Sequence, residues 1–476
     1  MTTSDDMDVL EIERRLSHQL FYFQDSYIYP LIKQELLLPN LGEHSKQYKR
    51  SKRNLGLKLK TGFDVLKSAL LLVSQRRLKH YDLLFIDSAS SRRYIRDGIA
   101  HSVICDFIIR RLPEKDSLLL ELPSRQSGRQ SKIASPNIYY PDLDFIGIYI
   151  KMLFAKRSFD EAEQIVSELE RFGVRVSKVD VNRLLRRFMH YSIWADRVLR
   201  RTQPSKLILV CSYTYLQMAL IRMSRRRGIP VIELQHGQIS EKHYGYMYSR
   251  LENRDLVPDY FFANGAYYKE VLEKKSVLFK AQDIFCTGNL FLEEIAQIHT
   301  EETRKLVEQS AGRKIVFISS QITTRDETRE MTRALADSIP DEVFIIYKPH
   351  PNEADAAEFY IEFQGYSCLF LVDSPEYNSL DLLKISDVHI TVYSTVFMEA
   401  YYFRVPTFFY QVEPFSDVIL EFIDGDFYRL MQNPEEMAAA LLSLKKGESR
   451  EIKNKIEFYK ADPWESFKAA LEAIES

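Results

Sequence analysis

The stretch RKIVFISSQITTRDETREMTRALADSIPDEVFIIYKPHP, residues 313–351, decides the fold. KIVFIS and VFIIYK are short, continuous apolar runs rich in β-branched and aromatic residues, as in a strand covered on both faces. Between them, DETREMTRALADSI carries apolar residues at helical spacing behind an acidic first turn. Two buried strands joined by one amphipathic helix predict a parallel βαβ unit.

The pattern continues in both directions. Downstream, SCLFLVD, DVHITVYS and PTFFYQ read as strands, while SLDLLKIS, TVFMEAYYF and PEEMAAALLSLKK read as helices. Upstream, YDLLFID, SLLLELP, KLILVCS, PVIELQHG, DYFFANG and IFCTGN read as strands. Helical spacing is expected over 96–112 (RDGIAHSVICDFIIRRL), through 143–201, and in YLQMALIRMSRRRG before Gly228. Two such series predict an α/β chain of two Rossmann-like domains facing a central cleft. The expected boundaries are a helical N-terminal extension at 1–60, a first Rossmann-like domain at 61–290, and a linker helix at 291–312. A second Rossmann-like domain follows at 313–450, with C-terminal helices at 451–476.

Bulk properties agree. The 476 residues suit two domains, and 45% hydrophobic with 28% charged residues is globular composition. The acidic start is unlike a signal peptide, and no apolar run is long enough for a membrane span. Cys105, Cys211, Cys286 and Cys368 are scattered in apolar runs, which suggests reduced core thiols. The expectation is a cytoplasmic protein, at most peripheral on the inner face of the cytoplasmic membrane. Charge is uneven. Residues 1–250 hold 42 Lys+Arg and 27 Asp+Glu, net +15, whereas 251–476 hold 23 and 40, net −17. A basic half suits an anionic partner such as a membrane surface; two mutually attracting halves explain it equally simply. No nucleic-acid-binding signature accompanies it.

In open parallel sheets, ligands bind beyond the carboxyl ends of the strands. Polar residues gather there: Asp87-Ser88, Glu121, Ser212-Tyr213, Gln235-His236-Gly237, Thr287-Gly288-Asn289, Ser319-Ser320, Lys348 to Pro351, and Tyr393-Ser394-Thr395. Ser394-Thr395 opens a helix, where free backbone N–H groups suit a phosphate, and Glu399 one turn on suits ribose hydroxyls. An N-cap with an internally paired Glu fits the same residues. Pro349 and Pro351 clamp His350 in an extended turn. His236, freed by Gly237, suits hydrogen bonding to a sugar or phosphate, or proton transfer; a satisfied core histidine is the plainer alternative.

ELQHG, YKPHP and YSTVFMEAYYFRVPTFF, in this order, resemble bacterial glycosyltransferases of the GT-B fold that build surface polysaccharides. The similarity is to CMP-sugar users: the Kdo transferases of capsule, O-antigen and lipopolysaccharide assembly, and some sialyltransferases. CDP-glycerol polyol-phosphate transferases share the layout. The resemblance implies a nucleotide-sugar donor in the C-terminal domain, CMP-linked. His350, Ser394 and Thr395 would hold its phosphate and Glu399 its ribose, with Gln235, Lys348, Pro351, Gly288 and Asn289 around it. It implies His236 at the catalytic cleft and a glycan or lipid-linked oligosaccharide acceptor. The usual Gly-x-Pro is replaced here by Arg404-Val405-Pro406.

The catalytic carboxylate is sought among strand ends. Glu121 is favoured over Asp87 and Asp144, because a buried carboxylate is costly unless used or paired, with Arg125 or Arg129 as possible pairs. No DxD stands at a strand end, so neither metal nor cofactor is expected. The leading reading is transfer of a sugar such as Kdo or a related ulosonic acid; transfer of a polyol phosphate from a CDP donor, a nucleotide-sugar epimerase of the same fold and a non-catalytic assembly scaffold are the others.

Overall fold

The computed structural model describes residues 8–41, 78–96, 98–123, 133–135, 137–155, 157–350, 361, 363–374, 377–412, 417–447 and 456–474. They form two compact units: 1–288 with 460–476, and 289–459.

The first unit is built on seven parallel strands: β1 Leu83–Ser88, β2 Ser117–Leu122, β3 Ile138–Tyr139, β4 Lys206–Val210, β5 Val231–Leu234, β6 Tyr260–Ala263 and β7 Ile284–Cys286. Their spatial order is β7-β6-β5-β4-β1-β2-β3. On one face, Leu84, Ile86, Leu118, Leu120, Leu207 and Leu209 pack against Trp194, Leu199 and Leu220. Leu83, Phe85, Leu119 and Ile208, which alternate with them, are buried as well. Burial of both faces explains the unbroken apolar runs.

The second unit has six parallel strands: β8 Lys314–Ser319, β9 Val343–Lys348, β10 Leu369–Leu371, β11 Val388–Thr391, β12 Thr407–Tyr410 and β13 Tyr428–Met431. Their order is β10-β9-β8-β11-β12-β13. Helix Arg325–Ser338 is the crossover read from the sequence, burying Met331 and Leu335 in the core of this sheet. In both sheets the chain builds outward from the first strand to one edge, then returns to build from its other side. The resulting switch points lie between β1 and β4 and between β8 and β11, where open sheets bind ligands.

Several boundaries differ from expectation. Residues 291–312 are not one linker helix: Leu290–Ala296 and Glu301–Gln309 are separate helices of the second unit. Lys384 donates to the Ile295 carbonyl at 2.8 Å there. The last helix, Pro463–Ala473, belongs to the first unit, with Phe467 edge-on to Phe262 at 5.4 Å. Residues 96–112 are not a single helix. Gly98, at φ +70°, reverses the chain between strands Tyr94–Arg96 and Ile99–His101, and only Cys105–Arg110 is helical.

The N-terminal segment is part of the first unit rather than an appendage. Its hairpin Tyr22–Phe23/Ser26–Tyr27 turns on Gln24 and Asp25, both at positive φ, as a tight two-residue turn requires. Lys33 is buried against Glu13 at 3.2 Å and lies 3.7 Å from the centre of the Tyr248 ring. Glu13 accepts from Ser249 Oγ at 2.8 Å. This ties 8–41 to the loop that follows β5. Among the described residues, no helix is long and apolar enough to cross a membrane. All four cysteines are free, with Cys105 and Cys368 buried.

Candidate functional site

The strand-end carboxylates of β1 and β2 are structural. Asp87 is buried, and it accepts from Ser88 N at 2.7 Å, Ser91 Oγ at 2.6 Å and Ser102 Oγ at 2.5 Å. Burial pushes its carboxyl up, against the pull of the two serine hydroxyls. Glu121 is buried and paired with Arg92 Nε, whose Nη1 donates to Asp106 Oδ2 at 2.9 Å. The choice between use and pairing thus falls to pairing, with Arg92 as partner; Arg125 and Arg129 lie outside the described residues. Asp144 accepts from Tyr139 and, at 3.0 Å, from Trp194 Nε1. None of the three is presented as a base.

At the end of β5 the arrangement is different. Gln235 spans the turn, donating to the Gly237 carbonyl at 2.8 Å and accepting from Asn264 N at 2.8 Å. Both ends of its side chain serve the backbone, so its place is to hold the turn rather than a donor. His236, partly exposed beside exposed Gly237, is thereby fixed between two phenols. Its Nε2 lies 3.1 Å from Tyr213 Oη and its Nδ1 lies 3.3 Å from Tyr246 Oη. Tyr213 also reaches His243 Nε2, at 3.5 Å. Tyr246 is buried and donates to Glu233 Oε1 at 2.8 Å, and Ser212 N donates to the same oxygen at 2.8 Å. Burial, with His243 and Arg93 nearby, lowers the His236 imidazole to about 4. The ring is therefore neutral at physiological pH, the form that accepts a proton. Sequence reading missed Glu233, His243 and Tyr246 as members of this cluster. The available signal was a glutamate inside the apolar strand VIEL.

Around Gly288 the donor assignment is corrected. Gly288 sits at φ +73°, and a Cβ there would lie 2.5 Å from Pro463 Cβ and 2.8 Å from the Lys460 carbonyl. Its glycine serves the close passage of the returning chain. Asn289 Oδ1 caps the helix it precedes, accepting from Phe291 N at 3.0 Å and Leu292 N at 3.3 Å.

In the second unit the predicted residues gather at the ends of β8, β9 and β11. Lys348 closes β9, its Nζ donating to the Tyr377 carbonyl at 2.6 Å, and burial lowers its pKa. His350 follows, partly buried; Pro351 lies outside the described residues. Ser319 Oγ bonds His389 Nε2 at 2.8 Å, and the buried His389 is lowered to about 3 by desolvation. Tyr393 N donates to Gln321 Oε1 at 2.8 Å, which draws the loops after β8 and β11 together. Ser394 is partly buried, Thr395 is exposed as the residue before helix Val396–Tyr402, and Glu399 lies on that helix. Among the described residues, no group of three or more His, Cys, Asp or Glu is placed to hold a metal ion.

Two residues past the end of that helix, Arg404 has φ +59°. Arg404 N donates to the Tyr401 carbonyl at 3.1 Å, and Val405 N donates to the Ala400 carbonyl at 2.9 Å. This helix stop has the left-handed backbone that favours glycine, and here arginine adopts it. Arg404→Gly is expected to raise stability by about 0.5–1 kcal/mol, read from urea denaturation, by relieving left-handed strain.

Residues 172–461 match the family model described as CDP-glycerol:poly(glycerophosphate) glycerophosphotransferase. The match spans the Gln-His-Gly, Lys-Pro-His-Pro and Ser-Thr…Glu motifs, and falls on the polyol-phosphate branch rather than on CMP-sugar users. No curated protein matches the chain. Among solved structures, a UDP-N-acetylglucosamine 2-epimerase is 14% identical with a TM-score of 0.50, over 83% of this chain and 95% of its own. The UDP-GlcNAc 2-epimerase of Methanocaldococcus jannaschii is 16% identical with a TM-score of 0.49, over 82% and 99%. The wall teichoic acid polymerase TagF is 13% identical with a TM-score of 0.45, over 83% and 89%. The first of these likenesses shows the fold, a pair of Rossmann-like domains of GT-B type.

Proposed function

Because this chain belongs to the CDP-glycerol:poly(glycerophosphate) glycerophosphotransferase family, we propose that it moves a polyol phosphate from a CDP-linked donor onto a cell-surface polymer or its lipid-linked acceptor. The observation that carries this reading is a neutral imidazole, His236, fixed between two phenols inside the matched span. In the proposed reaction, His236 takes the proton of the acceptor hydroxyl. That oxygen forms a bond to the donor's distal phosphorus, the bond from that phosphorus to the bridging oxygen breaks, and CMP departs with the electron pair. In the second unit, Ser394, Thr395, His350 and Lys348 would meet the donor's phosphates and Glu399 its ribose. The reaction is proposed to run without a divalent cation, so EDTA should leave it unchanged.

The test is product analysis. Incubation with CDP-glycerol and a glycerophosphate oligomer should release CMP and lengthen the acceptor by glycerophosphate units. Transfer from a CMP-linked ulosonic acid, with none from CDP-glycerol, would overturn the polyol-phosphate reading in favour of a sugar transferase.

Peripheral attachment to an anionic membrane is part of the same proposal. Helix Asp142–Phe154 is anchored inward by buried Ile148 and by Phe145, 5.1 Å from Trp194. Its outer side presents Leu143, Tyr149, Ile150, Leu153 and Phe154, the last two 64% and 79% exposed. Packed against it, helix Lys178–Thr202 carries seven Lys+Arg against two Asp. Apolar residues beside a basic helix match a membrane interface rich in anionic lipid. Binding to phosphatidylglycerol vesicles, measured by co-sedimentation, should weaken about tenfold for each of Leu153→Asp and Phe154→Asp. Equal binding by wild type and both variants would remove this face as the attachment surface.

A further inference from the structure

We propose that Glu233 is a positioning residue that sets the ring tautomer of His236, acting through the Tyr246 hydroxyl. The proposal rests on the reading of His236 as proton acceptor, and extends it to the group that prepares the ring.

A phenol has a single proton. Glu233 Oε1 lies 2.8 Å from Tyr246 Oη, which is also 3.3 Å from His236 Nδ1. When the carboxylate is ionised, Tyr246 donates its proton to Glu233. Its oxygen can then only accept from the ring, which places hydrogen on Nδ1. Nε2 is left with a lone pair facing the Tyr213 hydroxyl at 3.1 Å. When Glu233 is protonated on Oε1, the oxygen that faces Tyr246, that O–H donates to Tyr246, and Tyr246 donates to Nδ1. The ring proton must then sit on Nε2, and the basic lone pair is withdrawn. No heavy atom moves in this exchange; the hydrogen bonds reverse along the chain Glu233–Tyr246–His236, and the ring trades its proton with solvent.

The surroundings allow the carboxyl to take either form. Glu233 is wholly buried, and while Oε1 holds Ser212 N and Tyr246, Oε2 has no hydrogen-bond partner among the described residues. Among the described residues, no cation is paired with it. The titratable and charged groups among the described residues around it and the ring are Cys211, Tyr213, His243, Tyr246, Tyr248 and Arg93. Burial pushes the carboxyl up to about 7, against the pull of Ser212 and Tyr246. His236 itself stays neutral down to about 4, so the tautomer exchanges while the ring is uncharged.

The test reads the ring directly and needs no substrate. The full chain is labelled with 15N-histidine, and long-range 1H–15N spectra are recorded at about pH 8.5 and about pH 5.5, either side of the Glu233 transition. His236→Gln assigns the signals by their loss. Wild type should show hydrogen on Nδ1 at the higher pH and on Nε2 at the lower. Glu233→Gln keeps an oxygen for Ser212 N and Tyr246, and should hold hydrogen on Nδ1 at both. Tyr246→Phe should abolish the dependence on pH. An unchanged tautomer in wild type, or a pH response that survives Tyr246→Phe, would overturn the proposal. Loss of transfer in His236→Ala with no tautomer response would leave the base standing and remove only Glu233. A tautomer response without any transfer from CDP-glycerol would do the reverse.

Discussion

Replacing His236 with alanine is expected to lower the rate of transfer by about 10²–10⁴-fold, the usual contribution of one positioned base. The fold should survive. The ring is partly exposed, and Tyr246 keeps its hydrogen bond to Glu233 at 2.8 Å when the imidazole is removed. Single-turnover transfer beside a thermal melt separates the two effects; a full rate at unchanged stability would end the assignment. The pH profile adds a second check. With His236 lowered to about 4, the ring itself sets no acid limb near neutrality. An acid limb near 7 would instead follow Glu233, and should vanish in Glu233→Gln. The stability linkage has its own sign. A histidine whose folded pKa lies below about 6.5 contributes stability that is complete above that value and is lost as pH falls toward the folded pKa. His236 and His389, at about 4 and about 3, therefore predict a protein that weakens in acid.

Arg92→Leu is expected to cost about 3–5 kcal/mol of stability, the penalty for leaving buried charge uncompensated. Arg92 is buried and holds Glu121 and Asp106 with different nitrogens, and its Nη1 also donates to the Ala100 carbonyl at 3.2 Å. Its loss would strand two carboxylates beneath the ends of β1 and β2. Arg92→Lys should restore little, because one ammonium cannot reproduce the divergent fork. Urea denaturation measures both. The same experiment tests the role of Glu121. Glu121→Gln should lower stability while leaving the turnover of folded protein near wild type. Lost turnover at full stability would return Glu121 to the chemistry.

Much of the site was legible as position and little of it as role. Parallel sheets place ligands at strand ends, and the apolar runs alone were enough to put His236, Lys348, His350 and Ser394 just beyond them. Distinguishing used from paired carboxylates was not possible in the same way. Glu121 and Glu233 both interrupt apolar strands. One is neutralised by Arg92, twenty-nine residues earlier in the chain, and the other, among the described residues, meets a backbone N–H and a phenol. Nothing local to either strand announces that difference. Gly288 is similar: its glycine answers to Pro463, which only the fold brings beside it.

Apolar runs of strand length alternating with amphipathic helices determined the two parallel sheets, because burial on both faces demands that pattern wherever the chain goes next. The polar turn residues at the strand ends followed from the same rule. Strand order, the return of the last helix to the first unit, and the partners of each buried charge were decided by tertiary structure. The physical reason is that a carboxylate's cost in a core depends on which donors reach it, and those donors arrive from distant parts of the chain.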